Sequence, residues 1–216
     1  MFTAHPDRAS TGADVGITAG DASSLEDRFV ADLLTNPNNR AILERWDQLA
    51  LPDGWLVAGC LFQTVWNLRD GRPPTADIKD YDLFYFDPGD LSREAEQRVQ
   101  ARVDAVLGDL GIPIEAANQA RVHLWYEEDF GEPYQPLHSA RDGIERFLVP
   151  CTCVGVRPGE IYAPYGLEGL YAGRLTMNPL VPHRKLYERK AASYQRRWPW
   201  LTIEPAGDAV DTQVSG

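Results

Sequence analysis

The sequence predicts an α/β (α+β) domain, in which short apolar strands are separated by amphipathic helices. Runs with the length and composition of strands occupy residues 55–58, 81–86 and 151–156. Between and around these runs, apolar side chains recur every three or four residues, which is the spacing of a helix with one buried face. With 44% hydrophobic residues among 216, the chain can bury an ordinary globular core.

The helices before the first strand are defined by their end signals. Ser23, followed three residues later by Glu26, has the spacing of a capping box and predicts a first helix that ends near Pro37. A second helix follows and stops at the turn residues 51–54. We expect both helices to cover the sheet that begins at Trp55.

The later elements are predicted from caps and apolar spacing in the same way. Ser92 is placed to cap a long helix that Gly111 closes. The remaining predicted elements are, in order, a strand at 112–117, a helix at 118–126 that runs into a loop at 129–131, a helix with the capping pair Ser139 and Asp142, the strand at 151–156 and a Lys/Arg-rich helix at 182–196.

The chain divides into three parts by composition. Residues 1–22 are rich in Ala, Gly, Asp, Ser and Thr, with little apolar periodicity, and are expected to form a flexible N-terminal segment. Residues 23–202 contain all the predicted elements, so we expect one domain there. Residues 203–216 are expected to form a C-terminal tail.

Two acidic residues, Asp80 and Asp82, stand at the start of the aromatic strand at 81–86. Residues two apart in a strand point to the same face, so the two carboxylates are expected side by side. Their repulsion is costly unless a cation, an Arg or a hydrogen-bonding network neutralises it. A bound metal ion is one interpretation, and two solvated acids at a strand end are the other, because the D-x-D pattern is short.

A glycine turn lies upstream of the acid pair. Residues 55–58 are followed by Gly59 and Cys60 and then by a helical pattern. A backbone that turns at Gly into a helix N-terminus offers free amide donors and a positive dipole end to a phosphate. The turn and the paired-acid strand together indicate a site for a nucleotide and a metal ion.

The overall charge restricts the partners of such a site. The net charge of −11 and the pI near 4.8 argue against unaided binding to a polyanion, since Lys and Arg supply sequence-independent affinity for nucleic acids. A small nucleotide is compatible with this charge if metal ions bridge the acids and the phosphates. We therefore expect the acceptor to be a small molecule or a protein in preference to a nucleic acid.

The cysteines and the hydropathy predict the compartment. Cys60, Cys151 and Cys153 include no C-x-x-C pair, and the odd count gives neither a zinc ligand set nor a disulfide framework. The sequence shows neither a basic segment followed by an apolar run at its N-terminus nor about eighteen consecutive apolar residues. The prediction is a cytoplasmic protein without a membrane segment.

Six motifs, distributed over residues 25–202, occur in an informative order. They are Gly59 in its strand–turn–helix, the segment Val65-Trp66-Asn67, the segment Asp80-Tyr81-Asp82 leading into Tyr85-Phe86-Asp87, residues 118–126, residues 163–167, and Trp198-Pro199. Together they resemble a bacterial family of predicted nucleotidyltransferases that belongs to the DNA polymerase β-like superfamily. Their combination is far more specific than the D-x-D pattern alone.

This resemblance implies a small mixed β-sheet flanked by helices, a turn that holds nucleotide phosphates, and three carboxylates on adjacent strands that bind two Mg²⁺ ions. Gly59 and Cys60 match the phosphate turn. Asp80 and Asp82 match the first two carboxylates, and Glu115 is the candidate for the third. Cys60 stands where the superfamily usually has Ser, and because a thiol is a weak donor, phosphate binding here must rely on backbone amides.

Three more polar residues are candidates for nucleotide binding. Arg121 could grip a phosphate bidentately, or serve as a structural counter-charge. His123 could be an acceptor-side base, or a core histidine bonded to backbone. Asn67 could contact the base or ribose, or fix a loop. A further group either lines the triphosphate side of the cleft or forms a solvated surface, and consists of Arg174, Asn178, Lys185 and Lys190.

The predicted activity is Mg²⁺-dependent transfer of a nucleoside monophosphate from a nucleoside triphosphate (NTP) to an acceptor, with release of pyrophosphate. The predicted catalytic and metal-binding residues are Asp80, Asp82 and Glu115, and the predicted nucleotide-binding residues are Gly59, Cys60, Asn67, Arg121 and His123. One alternative is an inactive nucleotide-binding or interaction module, suggested by the missing Ser. Another is a metal-dependent phosphohydrolase, in which water replaces the acceptor.

Overall fold

A five-stranded sheet forms the centre of the fold in the computed structural model, which describes residues 20–126 and 134–205. The strands are β1 (Trp55–Val57), β2 (Tyr81–Tyr85), β3 (Ile114–Asn118), β4 (Gly155–Arg157) and β5 (Glu160–Tyr162). Their order in space is β3-β2-β1-β4-β5. Strands β2 and β3 are parallel and the other neighbours are antiparallel, which confirms a mixed sheet.

Helices flank the sheet. The α-helices are α1 (Gly20–Leu33), α2 (Pro37–Glu44), α3 (Trp46–Leu49), α4 (Gly59–Arg69), α5 (Arg93–Leu107), α6 (Ala140–Ile144), α7 (Glu168–Ala172) and α8 (Arg184–Arg197). A small parallel pair, β6 (Arg174–Leu175) and β7 (Thr202–Ile203), lies apart from the main sheet. Of the helices described, none has the length and apolar character needed to span a membrane.

The alternation of β2 decides which side of the sheet carries the acids. Tyr81, Leu83 and Tyr85 are buried in the main hydrophobic core, whereas Asp82 and Phe84 are half-buried on the opposite face. That opposite face is covered by a much smaller apolar cluster, to which Phe84 belongs. The thinner cover leaves room for a cleft beside Asp82.

An aromatic cluster holds α8 against α4. The ring of Trp66 lies 4.7 Å from Phe62, 5.4 Å from Tyr194 and 5.2 Å from Trp198, measured between centroids. Its indole N–H donates to the Leu170 carbonyl at 3.0 Å. Each tilted or edge-on ring pair contributes about 1 kcal/mol beyond the area it buries. The cluster therefore fixes the side chains of α8 next to the start of α4.

Two predicted helix caps are confirmed, and several predicted boundaries shift. Ser92 accepts a hydrogen bond from the Ala95 amide at 3.1 Å, and Ser139 accepts one from the Asp142 amide at 3.2 Å. Helix α1 begins at Gly20, upstream of the predicted cap. The predicted helix at 118–126 is a 3₁₀ helix, Gln119–Leu124. The predicted loop at 129–131 lies outside the described residues.

The largest difference concerns the predicted strand at 151–156. Its first half is a 3₁₀ turn, Pro150–Thr152, because Pro has a preset φ and starts a helical turn readily. Only β4 remains extended. At the C-terminus, β7 crosses the predicted boundary at residue 202, and the Tyr187 hydroxyl donates to the Glu204 carbonyl at 2.7 Å. Ordered contacts thus continue past that boundary.

Candidate active site

Asp80 and Asp82 lie in the wall of a cleft of about 620 Å³. Asp82 is also the direct neighbour of Glu115, since the two residues are Cα partners in the parallel pair of β2 and β3. Partners in register point to the same face of a sheet, so Asp82 and Glu115 share that face, and Asp80 immediately precedes β2. The two aspartates are half-buried, whereas Glu115 is exposed beside them.

The electrostatics of the cleft show the strain of these neighbouring charges. Burial raises the pKa of Asp82 to about 7, and repulsion by Asp80 and Glu115 adds to the increase. Lys190 on α8 lowers that pKa but does not cancel the increase. Desolvation lowers the pKa of Lys190 itself, while Asp80 and Asp82 act in the opposite direction. The negative charge of the three carboxylates therefore exceeds the positive charge that Lys190 provides.

The donor set suits a hard divalent cation. Carboxylate oxygens are the protein ligands that Mg²⁺ prefers, and the unrelieved repulsion at Asp82 is the condition that a cation removes. Within residues 20–126 and 134–205, no three His, Cys, Asp or Glu side chains converge closely enough to form a ready-made metal cluster. Asp80 and Asp82 are thus the pair that could hold an ion, with Glu115 next to them.

The raised pKa of Asp82 predicts a stability profile. Between about pH 4 and pH 7 the folded chain keeps a proton that the unfolded chain, with an ordinary carboxyl pKa, has released. The free energy of unfolding should therefore fall as the pH rises through this window and level off above it. Urea titrations should show this fall in the wild type but not in Asp82→Asn.

The effect of Mg²⁺ on thermal stability is a second test of the charge at Asp82. At pH 8, adding Mg²⁺ should raise the Tm of the wild type and leave that of Asp82→Asn unchanged, because only the former has the full repulsion to relieve. Equal shifts in both proteins would contradict a cation site at Asp82.

The turn before α4 opens toward the same cleft. Ala58 has φ 61° and ψ −131°, a backbone conformation that residues with a Cβ seldom adopt and that recurs at functional sites. The Ala58 carbonyl accepts the amides of Leu61 and Phe62 at 3.1 and 3.4 Å. The amides of Gly59 and Cys60 come before this first turn and have no helical carbonyl to pair with. Ala58 and Gly59 both line the cleft, which gives it the N-terminus of an eleven-residue helix.

The Cys60 side chain does not line the cleft. It is fully buried, and its thiol donates to the Val57 carbonyl with a sulfur–oxygen distance of 3.3 Å. Burial raises the pKa of the thiol well above its ordinary value. At this position a phosphate could therefore meet only the backbone amide.

Asn67 does not reach the cleft. It is fully buried in α4, where its amide donates to the Ala76 carbonyl at 2.8 Å and its oxygen accepts from the Trp198 indole at 3.0 Å. These bonds fix the loop before Asp80 against the C-terminal end of α8. Its observed contacts are those of a structural residue, in place of the predicted contact with the nucleotide.

Arg121 and His123 also lie away from the cleft. Arg121 is buried, forms an ion pair with Glu96 of α5 and donates its Nε–H to the Leu91 carbonyl at 2.8 Å. It is thus a structural counter-charge in place of a predicted phosphate ligand. His123 is half-buried, and its Nδ1 has no hydrogen-bond partner among the described residues.

The four polar and basic residues that were predicted as one group near the C-terminus lie in different places in the structure. Lys190 lines the cleft, opposite the aspartates. Asn178 is buried and donates to the carbonyls of Glu145 and Phe147 at 2.6 and 2.7 Å, so it shapes the cleft wall from behind. Arg174 and Lys185 are exposed and do not line the cleft.

Several residues that line the cleft were not predicted from the sequence, among them Gln63, Arg146 and Ser193. Gln63 follows Gly59 by four residues and so lies on the same side of α4, a signal that was available. Its Oε1 accepts a hydrogen bond from Arg197 at 2.5 Å, and its Nε2 lies 2.6 Å from where a Cβ at Gly59 would be. This geometry turns an amide donor toward the turn, and a side chain at position 59 would have to displace the flexible end of Gln63. Arg146 and Ser193 come from distant segments and had no such signal.

Comparisons with known proteins identify the family and the fold of the chain. A family model described as "Nucleotidyltransferase" matches residues 44–203. A solved NMR structure, described as revealing a CCA-adding enzyme head domain, superimposes with a TM-score of 0.65 at 25% identity, covering 85% of this chain and 96% of the other. No curated protein matches the chain. Because the family model spans well over half of the sequence, including α4, β2, β3 and α8, the protein is a transferase that belongs to the nucleotidyltransferase family.

Proposed function

We propose that the cleft binds an NTP together with Mg²⁺ and transfers the nucleoside monophosphate to an acceptor hydroxyl. The observation that carries this proposal is the shared cleft, which is lined by Asp80 and Asp82, by Gly59 at the start of α4, and by Lys190. Anionic phosphates suit the amides and the ammonium group, and a cation suits the carboxylates. Both halves of a nucleotide–metal complex thus have partners within one space.

Different groups of the chain would bind different parts of the nucleotide. The amides at Gly59 and Cys60 and the positive end of α4 would hold phosphate oxygens. Gln63, held by Arg197, would add a neutral donor beside them. Lys190 and Arg146 line the cleft and would offset the remaining charge of the triphosphate.

The transfer is a displacement at the α-phosphorus. The acceptor oxygen forms a bond to this phosphorus, the bond to the oxygen bridging the α- and β-phosphates breaks, pyrophosphate leaves, and the hydroxyl proton passes to water. Bound Mg²⁺ would supply two effects, a lower pKa of the acceptor hydroxyl and neutralisation of the leaving oxygens. Asp80 and Asp82 would hold the metal, and Glu115, which is in register with Asp82 but does not line the cleft, would have to turn toward them to add a third carboxylate.

The compartment is proposed from the cysteines. All three are free and buried, so nothing in this fold depends on an oxidising environment. We place the protein in the cytoplasm on that basis.

One assay separates transfer from its alternatives. The full chain is incubated with each α-labelled NTP, Mg²⁺ and candidate acceptors, and pyrophosphate, monophosphate and labelled acceptor are followed. Pyrophosphate together with labelled acceptor supports the proposal. Labelled monophosphate alone identifies a phosphohydrolase, and saturable binding without turnover identifies an inactive module.

Gln63 provides a test of the phosphate side of the cleft. Gln63→Ala should raise the KM for the NTP by about tenfold, because one hydrogen bond to a charged group contributes about 1.5 kcal/mol. The kcat should change little if the donor contacts ground state and transition state alike. Gln48→Ala, which removes an exposed amide on α3, is the matched control and should behave as wild type. An unchanged KM in Gln63→Ala would remove this residue from the binding site.

A further inference from the structure

We propose that the acceptor is a polynucleotide strand, held by a basic stripe on α8 that runs past the cleft. The stripe consists of Lys185, Arg189 and Arg196. This inference rests on the proposed function, because it names the molecule that receives the nucleotide. It replaces the expectation of a small-molecule or protein acceptor, which was drawn from the overall charge.

The stripe follows from helix geometry. Successive residues of an α-helix are about 100° apart, so Lys185, Arg189 and Arg196 fall within about 40° of arc on α8. The adjoining arc carries Lys190 and Ser193, which line the cleft. Arg189 lines the cleft as well and so belongs to both surfaces. The stripe is therefore continuous with the proposed active site.

The stripe is exposed and carries uncompensated charge. Helix α8 has six basic residues and one acidic residue, in a chain whose net charge is −11. Lys185, Arg189 and Arg196 are all exposed, and none of them forms an ion pair with a carboxylate in the described parts of the chain. Other arginines are neutralised, as in the pairs Arg45–Asp109 and Arg98–Asp90.

The length of the stripe favours a strand over a single nucleotide. From Lys185 to Arg196 the helix rises by about 16 Å, at about 1.5 Å per residue. Phosphates in a stacked strand follow one another at about 3.4 Å, so the stripe can span several of them. Lys185 and Arg196 do not line the cleft and cannot serve the triphosphate of an NTP bound within it. The positive charges of these two residues are therefore available to bind a different polyanion.

The overall negative charge does not oppose this binding. At physiological ionic strength the Debye length is about 8 Å, so charges on distant parts of the surface are largely screened. A strand on α8 experiences mainly the local cations, and Glu188 is the single acid of that helix. Local charge, and not the total, therefore determines whether a polyanion can bind here.

A strand on the stripe can reach the reaction centre through Arg189. The terminal hydroxyl of the strand would enter the cleft and act as the nucleophile toward the α-phosphorus. The strand gains one nucleotide, pyrophosphate leaves, and the proton of the hydroxyl passes to water.

The test uses two stripe residues that lie outside the cleft. Binding of fluorescently labelled single-stranded RNA and DNA of the same sequence is measured by anisotropy over a range of salt concentrations. The double variant Lys185→Glu/Arg196→Glu should bind at least tenfold more weakly than wild type to the strand that is the natural acceptor. The slope of log K against log salt concentration should be smaller in magnitude by about 1.4 for this variant, since it loses two phosphate contacts and each contact with a single strand contributes about 0.7.

The matched control is Arg40→Glu/Arg93→Glu, which makes the same charge change at exposed arginines on α2 and α5. It should bind both strands almost as wild type does, and both double variants should retain wild-type NTP binding. Equal strand affinities for the two double variants would overturn the proposal. Competition by poly-glutamate as strong as that by the oligonucleotide would also overturn it, in favour of an acidic protein. If the strand binds through the stripe but no NTP gives pyrophosphate, the stripe is still a polynucleotide-binding surface, and the proposed transfer reaction is rejected.

Discussion

Replacing Asp82 with Asn is expected to reduce Mg²⁺-dependent pyrophosphate release by at least about a hundredfold. Asn keeps the size and one oxygen of the side chain but loses the charge that holds a divalent cation. The substitution also removes the buried charge whose desolvation, together with repulsion by Asp80 and Glu115, raises the pKa of Asp82 to about 7. At pH 8 the variant should therefore be at least as stable as the wild type, so its loss of activity cannot be attributed to unfolding. Steady-state pyrophosphate release and thermal unfolding, measured at that pH, give the two values.

Asp47→Asn is the matched control, because it removes the charge of an exposed aspartate on α3. Asp80→Asn should behave like Asp82→Asn, since the two aspartates line the same cleft. Wild-type turnover in both Asp80→Asn and Asp82→Asn would exclude the pair from the mechanism. A loss of stability in Asp82→Asn would contradict the repulsion inferred from its surroundings.

The parts of the site that could be predicted from the sequence are those set by local geometry. Asp82 points away from the main core because a strand alternates, and Gly59 begins α4 because the apolar period changes there. Glu115 required strand order, which no local pattern contains and which the family resemblance supplied. In the structure it is the register partner of Asp82.

The residues that could not be predicted depend on tertiary packing. Arg146 lies on the cleft although more than sixty residues separate it from Asp82, and only the chain path between them brings it there. Asn67 and Arg121 show the converse limit. A polar residue in apolar surroundings has the same sequence pattern whether it binds a ligand or a buried carbonyl, and in this fold both bind the protein itself.

Charge shows a third limit. A net charge of −11 is a property of the whole chain, whereas binding depends on the potential within about one Debye length of a surface. The basic spacing of α8 was visible in the sequence. Its position beside the cleft was not, because the aromatic cluster around Trp66 places it there.

Asn67→Ala is expected to lower the free energy of unfolding by about 3 kcal/mol. The substitution leaves the Trp198 indole and the Ala76 carbonyl without their buried partner, and each unsatisfied group costs about 1–3 kcal/mol. For a chain of this size the Tm should fall by about 6–12 °C. Calorimetry or urea unfolding measures the loss, and Gln97→Ala, an exposed amide on α5, is the control that should show almost none.

The same variant separates a structural role for Asn67 from the nucleotide contact that its sequence position suggested. If Asn67 only fixes the loop before Asp80, Asn67→Asp should lose at least as much stability as Asn67→Ala does, because a buried carboxylate would face the Ala76 carbonyl in place of an amide donor. Below its Tm, Asn67→Ala should then bind NTP with an affinity close to that of the wild type. A weaker NTP affinity at unchanged stability would instead make Asn67 a ligand of the nucleotide. Because the side chain is fully buried and its oxygen already accepts from an indole, we expect the stability to change and the affinity to remain.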